Sequence, residues 1–454
     1  MLLKGNETDL STTIHLEELP RTFVDAIGIT RRFEIAYIWI DALCIIQDDD
    51  EDWRREAGLM QYVYEGSFLN IAASSATSVH GGCWLKHTNV PDGMRARVTV
   101  NGEQIVREFV DRRCYDRSVW GSHLATRAWA LQEKLLPPRT VHLGDRGAFW
   151  ECRAKIASQF LPGGFKLPLM RGLLRMWTIE DHPQNWWQLV LRYYTKADLT
   201  YTRDKLLALA GVARKIQNRN GCQYLAGLWW DERVEAQLCW SCGERKKRPT
   251  EWRAPTWSWA SIDGPISYMA VQNGICDDRY AHVTNARVSP LGDDPFGQLL
   301  DGTLRITCMG MLLGRVDKRH TMFVQSDEGL VSVRVFLDNS DEDYLDEGIT
   351  NYLLPLIGGG DGSATLQDGE WVDSMVVRGI LLRATGGTVG QFHRIGAFEC
   401  GSRGVSGKYE ANNEDYHAFM QIFEGDRRQS TALICAEVIH NEHHPQEQYV
   451  ITLI

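Results

Sequence analysis

The beginning of the chain alternates between two spacings of apolar side chains, one typical of helices and one typical of buried strands. Apolar positions recur at helical spacing over 20–33, which predicts an amphipathic helix. A continuous apolar run at 36–40 predicts a strand buried on both faces, as in a parallel sheet. After a helix predicted at about 52–64, a second apolar run at 68–73 predicts another strand. This order predicts an α/β layer with a mainly parallel sheet and flanking helices.

The pattern changes after this layer. Residues 95–111 alternate loosely around an Asn-Gly pair, which predicts an antiparallel hairpin. A helix is predicted over 125–136, and two prolines, Pro137 and Pro138, are predicted to end it. Residues 139–152 then predict a second hairpin that turns at Gly-Asp-Arg-Gly.

A chain of 454 residues is too long for one ordinary hydrophobic core, so we expect two or three packing units. The α/β pattern extends over 1–155. Residues 156–279 are predicted to be a helical, Trp-rich continuation of it. Residues 280–454 are Gly-rich, with short apolar runs between turn signals, and predict a β-rich region.

Charge and composition narrow the set of partners and the compartment. The net charge of -10 disfavours nucleic acid or an anionic membrane, because phosphate binding needs clustered Lys and Arg. The start turns polar after three residues and no apolar stretch reaches the length of a membrane span, so we predict a cytoplasmic protein without a membrane span. The odd count of 11 Cys agrees with a reducing compartment. Cys239 and Cys242 have ligand-like spacing but no second pair nearby, so no metal site is predicted.

Glu56 is the first candidate for chemistry. It falls inside one helical arc with Trp53, Ala57, Met60 and neighbouring apolar residues, so the carboxylate is expected on the packed side of its helix. A carboxylate there is costly unless it is paired or lies in a polar cleft. The two readings are a buried pair with an arginine and a functional carboxylate.

Asp41 is a second candidate carboxylate, at the carboxyl end of the predicted strand, where open α/β sheets place their ligand crevices. Its alternative role is to cap the following loop. The acidic run at 48–52 is predicted to cap and solvate the start of the next helix. Cys44 is either a nucleophile or a small apolar filler.

Glu133 repeats the situation of Glu56 on another helix. It shares a helical stripe with Trp129, and Arg127 and Arg139 flank that helix. The sequence therefore predicts a structural ion pair between Glu133 and one of these arginines.

Several stretches together resemble the fungal heterokaryon incompatibility (HET) domain family. The matching motifs over about 19–265 are "LPRTFVDAI", "YIWIDALCIIQDD", "NIAAS", "RAWALQEKLLPPRTVHLG", "LTYTRDKLLALAGVA" and "APTWSWASIDGP", in the family's order. HET domains usually begin with a strand carrying a motif similar to "ALSY-x-WG", which this sequence lacks. The resemblance thus leads us to expect either a truncated gene model or a member without that strand.

The resemblance implies a function in fungal non-self recognition and programmed cell death. HET domains are similar to TIR domains, some of which cleave NAD, and the order Cys44, Gln47, Trp53, Glu56 resembles the segment around the catalytic Glu of TIR enzymes. The resemblance thus implies a TIR-like fold, with NAD as a substrate rather than a cofactor. Glu56 and Asp41 would then be catalytic. The residues expected to bind the substrate are Trp53, Cys44, Gln47 and Ser74.

Two other functions stay open. One is a non-enzymatic signalling module that self-associates or binds a HET- or NLR-type signalling partner. The other is a HET-like enzyme recruited to fungal secondary-metabolite biosynthesis, with a hydrophobic metabolite in a Trp-rich cleft.

Overall fold

The computed structural model describes residues 1–83, 93–111, 113–165, 183–269, 278–316, 321–326, 329–340, 351–367, 370–401, 403–405, 408–410, 413–440 and 447–454. The chain forms two compact units. The first comprises 1–182, 196–200 and 207–215, and the second comprises 183–195, 201–206 and 216–454. The division of the sequence at 155 and 279 stays a prediction, and the part of the predicted helical region at 166–182 lies outside the described residues.

The described residues form a mixed set of helices and strands. The α-helices are α1 (Glu7–Thr12), α2 (Arg21–Arg32), α3 (Asp41–Cys44), α4 (Asp50–Gly66), α5 (Ala128–Leu135), α6 (Pro183–Tyr194), α7 (Ala210–Asn220), α8 (Val234–Leu238) and α9 (Glu414–Thr431). The strands up to 268 are β1 (Asn70–Ala72), β2 (Gly93–Val100), β3 (Glu103–Val110), β4 (Arg139–Gly144), β5 (Gly147–Cys152), β6 (Ile156–Ser158), β7 (Leu161–Phe165), β8 (Gln223–Leu225), β9 (Leu228–Trp230), β10 (Trp240–Cys242) and β11 (Ile266–Tyr268). The later strands are β12 (Asp278–Arg279), β13 (Ala281–Pro290), β14 (Leu299–Cys308), β15 (Leu312–Val316), β16 (Thr321–Ser326), β17 (Gly329–Leu337), β18 (Asn351–Gln367), β19 (Glu370–Ala384), β20 (Gln391–Gly401), β21 (Arg403–Val405), β22 (Lys408–Glu410), β23 (Glu437–Ile439) and β24 (Gln448–Leu453).

The sheet of the first unit is mainly antiparallel. Its strand order is β1-β4-β5-β6-β7, and only β1 and β4 run parallel among these described strands, with Ile71 opposite Val141. The prediction of a mainly parallel sheet is therefore corrected, and the TIR-like layout that assumed such a sheet is not confirmed. The physical reason is that β4 to β7 follow one another through short turns, and short turns produce antiparallel pairs.

The predicted strand at 36–40 is corrected too. The chain is extended at Ile40, with φ of -133° and ψ of 120°, but in the part of the chain that the structure describes 37–40 pair with no strand. Their side chains line a cavity instead, and Tyr37 is 89% exposed. A continuous apolar run indicates apolar surroundings, but it does not determine whether a neighbouring strand provides them. The second apolar run does contain a strand, β1, as predicted.

Local signals explain several elements that were predicted correctly. Asp49 is the N-cap of α4 and its carboxylate accepts from the backbone N–H groups of Glu51 and Asp52, so the acidic run caps the helix as expected. The hairpin β2–β3 turns at Asn101 and Gly102, whose φ values of 52° and 85° are those that a two-residue turn requires. The helix predicted before Pro137 is α5, and the hairpin after it is β4–β5.

The second unit contains a large sheet. Its strands follow the order β12-β18-β15-β16-β17-β20-β24-β14-β13, β19 pairs with both β18 and β20, and β23 pairs with β24. Helix α9 packs on this sheet: Phe419 and Phe423 join Val333, Leu353 and Phe398 in one buried cluster. Burying a side chain of this size contributes roughly 1.5–3 kcal/mol, so this cluster is a main source of stability. The predicted β-rich C-terminal region is confirmed.

Candidate functional site

A cavity of about 580 Å³ opens in the first unit. It is lined by α2, the segment 37–41, the end of α4, strand β1 and helix α5. This volume falls within the roughly 300–1,000 Å³ of small-molecule sites, which are mostly apolar with a few polar groups. The polar side chains of the lining include Asp41, Tyr64, Ser74, Arg127, Glu133, Lys134 and His142.

Among the carboxylates that line the cavity, Glu133 has a clearly shifted pKa. Loss of hydration and the negative charge of Asp41 raise the pKa of Glu133 to about 7, against the lowering effects of the Arg127 charge and a hydrogen bond from Tyr64. Burial and the charges of Glu133 and Asp41 raise the pKa of Tyr64 well above its usual value, so its hydroxyl stays protonated and can donate. Near neutral pH, both the protonated and the ionised forms of Glu133 are therefore populated.

Helix α5 holds Glu133 in place through its neighbours. The side chain of Asn70 on β1 donates to the backbone oxygen of Glu133 at 3.0 Å. On the buried side of α5, Oε1 of Gln132 accepts from the backbone N–H of Gly211 at 2.8 Å. With Leu131 and Leu135 also buried, one face of the helix packs and the other presents Glu133 to the cavity.

A buried polar cluster lies next to the cavity. Nζ of Lys134 is 2.9 Å from Oε2 of Glu151, and Nε2 of His142 is 3.0 Å from the same oxygen. The hydroxyl of Tyr115 also donates to Glu151. Lys134 lies over the ring of Trp120, with Nζ 4.2 Å from its centroid. The cluster joins α5 to β4 and β5, and so helps to fix the orientation of Glu133, the neighbour of Lys134.

Contacts among the side chains of this cluster determine which of them are charged. Burial alone would raise the pKa of Glu151, but the Lys134 charge and the hydrogen bonds from His142 and Tyr115 lower it to about 2. Burial and the charge of Lys134 lower the pKa of His142. Burial also lowers the pKa of Lys134, against the raising effect of Glu151. We conclude that Glu151 is ionised and His142 is neutral at pH 7.

The structure places Glu56 outside the lining of this cavity. Its side chain is 25% exposed, and Oε1 lies 3.4 Å from Nε of Arg55. The helical arc predicted for α4 is partly right, because Ala57 and Met60 are buried and the later residue Tyr64 lines the cavity. The helical periodicity predicted which side of α4 faces the interior of the protein. It did not predict which turn of the helix lies at the cavity.

Three of the predicted substrate-binding residues also lie away from the cavity lining. The ring of Trp53 packs edge-to-face against that of Trp129, with the centroids 6.0 Å apart. Cys44 is exposed, which differs from the apolar filler suggested by the sequence. The side chain of Gln47 donates to the backbone oxygen of Ile45 at 3.0 Å.

Asp41 and Ser74 are the predicted site residues that do line the cavity. Oδ1 of Asp41 accepts from the backbone N–H of Ala42 at 2.7 Å. Asp41 is the first residue of α3, and within the described residues this helix has no side-chain cap. Ser74 is 3% exposed and follows strand β1.

The predicted structural ion pair of Glu133 is corrected. Among the described residues, neither Arg127 nor Arg139 forms an ion pair with Glu133. Arg139 follows the two prolines after α5, where its Nη1 donates to the backbone oxygen of Phe68 at 3.1 Å and its guanidinium lies over the Phe68 ring. Arg127 lines the cavity and acts on Glu133 through its charge. The apolar helical stripe around Glu133 indicated that this carboxylate needs a partner or a function. The sequence analysis interpreted it as a structural ion pair.

The roles of Tyr64, Lys134 and His142 were missed by the sequence reading. They belong to α4, α5 and β4, and only the fold brings them to one cavity. The one local signal was Tyr64 at the end of the helical arc of α4.

These observations define a mixed α/β protein with a cavity of small-molecule size and a carboxylate that titrates near neutrality. Residues 2–133 match the family model described as heterokaryon incompatibility protein (HET). The resemblance to the HET family is confirmed over this segment, which includes Asp41, Tyr64, Arg127 and Glu133. No curated protein and no solved structure matches the chain. Within the described ranges, no helix combines the length and the apolar character needed to cross a membrane.

Proposed function

We propose that the HET domain binds a nicotinamide dinucleotide in its cavity and hydrolyses the bond between nicotinamide and ribose. The observation that carries this proposal is Glu133, whose pKa is raised to about 7 at the wall of a cavity of small-molecule size. Strongly perturbed carboxylates in such cavities are characteristic of catalytic sites. Glu133 takes the central role that the sequence assigned to Glu56, and Asp41 keeps its role.

The lining suits a ligand with a flat ring and a polar sugar. The rings of Trp39 and Tyr64 pack edge-to-face with centroids 5.7 Å apart, and both line the cavity. They supply apolar surface for the pyridine ring, while the carboxylates of Asp41 and Glu133 accept hydrogen bonds from ribose hydroxyls. Arg127 supplies a guanidinium, which binds phosphate well.

The chemistry needs a carboxylate close to the breaking bond. When the bond between ribose C1′ and the pyridinium nitrogen breaks, its electron pair goes to the nitrogen and nicotinamide leaves neutral. The ribose becomes an oxocarbenium-like cation, which the charges of Asp41 and ionised Glu133 stabilise. A water molecule then adds to C1′, and Glu133 accepts its proton as a general base. With a pKa of about 7, Glu133 is matched to this step at neutral pH.

The test compares two glutamates of one chain. Nicotinamide release from NAD is measured with the purified full chain, with Glu133→Gln, and with Glu56→Gln as the matched control. Glu133→Gln is expected to lower the rate by a factor on the order of 10² or more, because it removes the charge and the base but keeps the shape. Glu56→Gln is expected to retain most of the activity. Thermal melting of all three proteins shows that they are folded.

Two results would contradict the proposal. If Glu133→Gln and Glu56→Gln lost the same activity, Glu133 would have no special role in catalysis. Absence of nicotinamide release by the folded wild-type protein would exclude NAD hydrolysis by this chain under the conditions used.

A second candidate function, self-association without catalysis, is favoured by the apolar rim of the cavity. Phe33, Tyr37 and Phe68 line it, with exposures of 54%, 89% and 57%. Exposed apolar clusters often mark protein contact sites. For this function, the molar mass from light scattering would rise with concentration and Tyr37→Ser would reduce the rise, while no nicotinamide would be released.

A further inference from the structure

The second unit has a cavity of its own, of about 430 Å³, and basic side chains outnumber acidic ones in its lining. It lies between the segment 248–256, strand β20 and the end of β19. Its basic and aromatic lining residues are Arg248, Trp252, Arg253, Arg383, His393 and Arg394. So many cations around one cavity indicate a site for negative charge.

Two of these arginines form the buried floor of the cavity. Nη1 of Arg394 is 2.5 Å from Oδ2 of Asp338, and both side chains are fully buried. Nη2 of Arg253 is 2.7 Å from Oδ1 of Asp263. These ion pairs fix the floor, and Asp263 also pairs with Lys205 at 3.3 Å. The Nε–H of Arg394 has no hydrogen-bond partner within the described residues, so an unsatisfied donor remains in this floor.

The rim carries Arg248, whose positive charge acts on the buried Asp338 without forming an ion pair with it. Arg248 forms no ion pair and no side-chain hydrogen bond with any described residue, although it is partly buried. Burial and the positive charges of Arg248 and Arg383 lower the pKa of His393. The acidic lining residues Glu251 and Asp301 are exposed to solvent, which screens their charges. Because Arg248 is partly buried and the acidic lining residues are exposed, an anion that enters the cavity would be attracted to Arg248.

An aromatic platform lies beside this charge. Trp252 lines the cavity and is 52% exposed, so one part of its indole surface is free to pack against a ring. Large exposed aromatic side chains next to arginines are suited to ligands that combine a ring with an anionic group.

We propose that this cavity binds a small molecule with an aromatic ring and a phosphate or carboxylate group. The anionic group lies between Arg248 and Arg383 beside His393, and the ring packs on Trp252. This site is independent of the cavity around Glu133, because its residues belong to a different unit.

Binding has a consequence for His393 that a purely structural cluster would not show. An anion beside the imidazole favours its protonated form, so the pKa of His393 rises on binding. At pH 6.5 the complex therefore takes up a proton. With benzoate, whose carboxylate is fully ionised at this pH, the apparent binding enthalpy then differs between two buffers of different ionisation enthalpy, and His393→Gln abolishes that difference. Phenyl phosphate and inorganic phosphate titrate near this pH themselves, so they are not used for this comparison.

The test is isothermal titration calorimetry of the full chain with phenyl phosphate, benzoate and inorganic phosphate. Phenyl phosphate and benzoate distinguish a phosphate from a carboxylate ligand, and inorganic phosphate measures the anionic group alone. Arg248→Gln is expected to weaken binding about 10-fold or more, since it removes a charge-assisted hydrogen bond. Arg245→Gln is the matched control, because Arg245 is an exposed neighbour outside the cavity lining, and it should bind as the wild type does. Trp252→Ala should weaken phenyl phosphate but not inorganic phosphate.

Two outcomes overturn the proposal. One is absence of binding of all three probes at millimolar concentrations. The other is equal affinity of Arg248→Gln and Arg245→Gln, which would show that binding takes place elsewhere on the chain.

Discussion

The negative charge of Asp41 raises the pKa of Glu133, although the two residues lie on different helices far apart in the sequence. Asp41 begins the short helix α3 and Glu133 lies near the end of α5, and both line the cavity of the HET domain. A negative charge in the same cavity makes ionisation of Glu133 more costly. Loss of hydration and this coupling to Asp41 together raise the pKa of Glu133 to about 7.

The first prediction concerns this coupling. Asp41→Asn removes the negative charge that raises the pKa of Glu133, so Glu133 should titrate below pH 7 in the variant. If Glu133 is the general base, nicotinamide release rises as pH increases through the Glu133 pKa, and the midpoint of that rise should move to lower pH. A direct titration of the Glu133 carboxyl by NMR measures the same shift without activity. Asp48→Asn, an exposed residue outside the cavity lining, should leave the midpoint unchanged; an unchanged midpoint in Asp41→Asn would contradict the coupling.

The second prediction concerns stability at alkaline pH. The folded-state pKa of Glu133, about 7, is above its unfolded value of 4.5. The stability associated with this group is fully present below pH 4.5 and is lost as pH rises through 7. Glu133→Gln should therefore stabilise the protein at pH 8 by about 1–3 kcal/mol, and by much less at pH 4. Thermal melts at the two pH values measure the difference. Glu56→Gln should change little at either pH, and the same gain in both variants would refute the assignment.

The third prediction concerns the buried cluster of Glu151. Glu151→Gln leaves the cation of Lys134 buried without its counter-charge, which should cost about 3–5 kcal/mol. Asp111→Asn is the comparison, since Asp111 pairs with Arg117 at an exposed site where ion pairs contribute about 0–1 kcal/mol. Denaturant unfolding, followed by a probe in the first unit, measures both. Similar losses for the two variants would show that burial does not govern the contribution of the cluster.

The fourth prediction uses two helical glycines. A Cβ at Gly211 would lie 2.8 Å from Oε1 of Gln132 and 2.9 Å from Cβ of Gln61, so Gly211→Ala should destabilise the protein by about 1–3 kcal/mol. A Cβ at Gly28 in α2 would meet nothing within 4 Å, so Gly28→Ala should stabilise by about 0.5–1 kcal/mol through helix propensity. Melting temperatures of the two variants should move in opposite directions. A stabilised Gly211→Ala protein would contradict the described packing of α5, α7 and α4.

Local sequence chemistry predicted individual elements well. The N-cap at Asp49, the Asn101-Gly102 turn and the stop of α5 before Pro137 each depend on a few neighbouring residues. The same holds for the HET family, because its motifs are continuous stretches of sequence and the family model matches 2–133. Such features need no knowledge of distant contacts.

The sequence was less informative about the site. It indicated both Glu56 and Glu133 as carboxylates on apolar helical stripes, and it indicated Asp41, but it could not rank them. Periodicity gives the direction of a side chain around its helix axis. It gives neither the depth of a cavity nor the identity of the elements that surround it.

The sequence alone thus determined several helices and hairpins, the β-rich end of this protein, the match of 2–133 to the HET family and the residue types available for chemistry. Tertiary structure decided the rest: that 37–40 line a cavity instead of forming a strand, that the first sheet is mainly antiparallel, and that Glu133 rather than Glu56 lines the same cavity as Asp41. The physical reason is how far apart in the sequence the interacting residues are. Capping, turns and helical stripes arise from residues a few positions apart, whereas desolvation and charge coupling depend on groups that only the folded chain brings together.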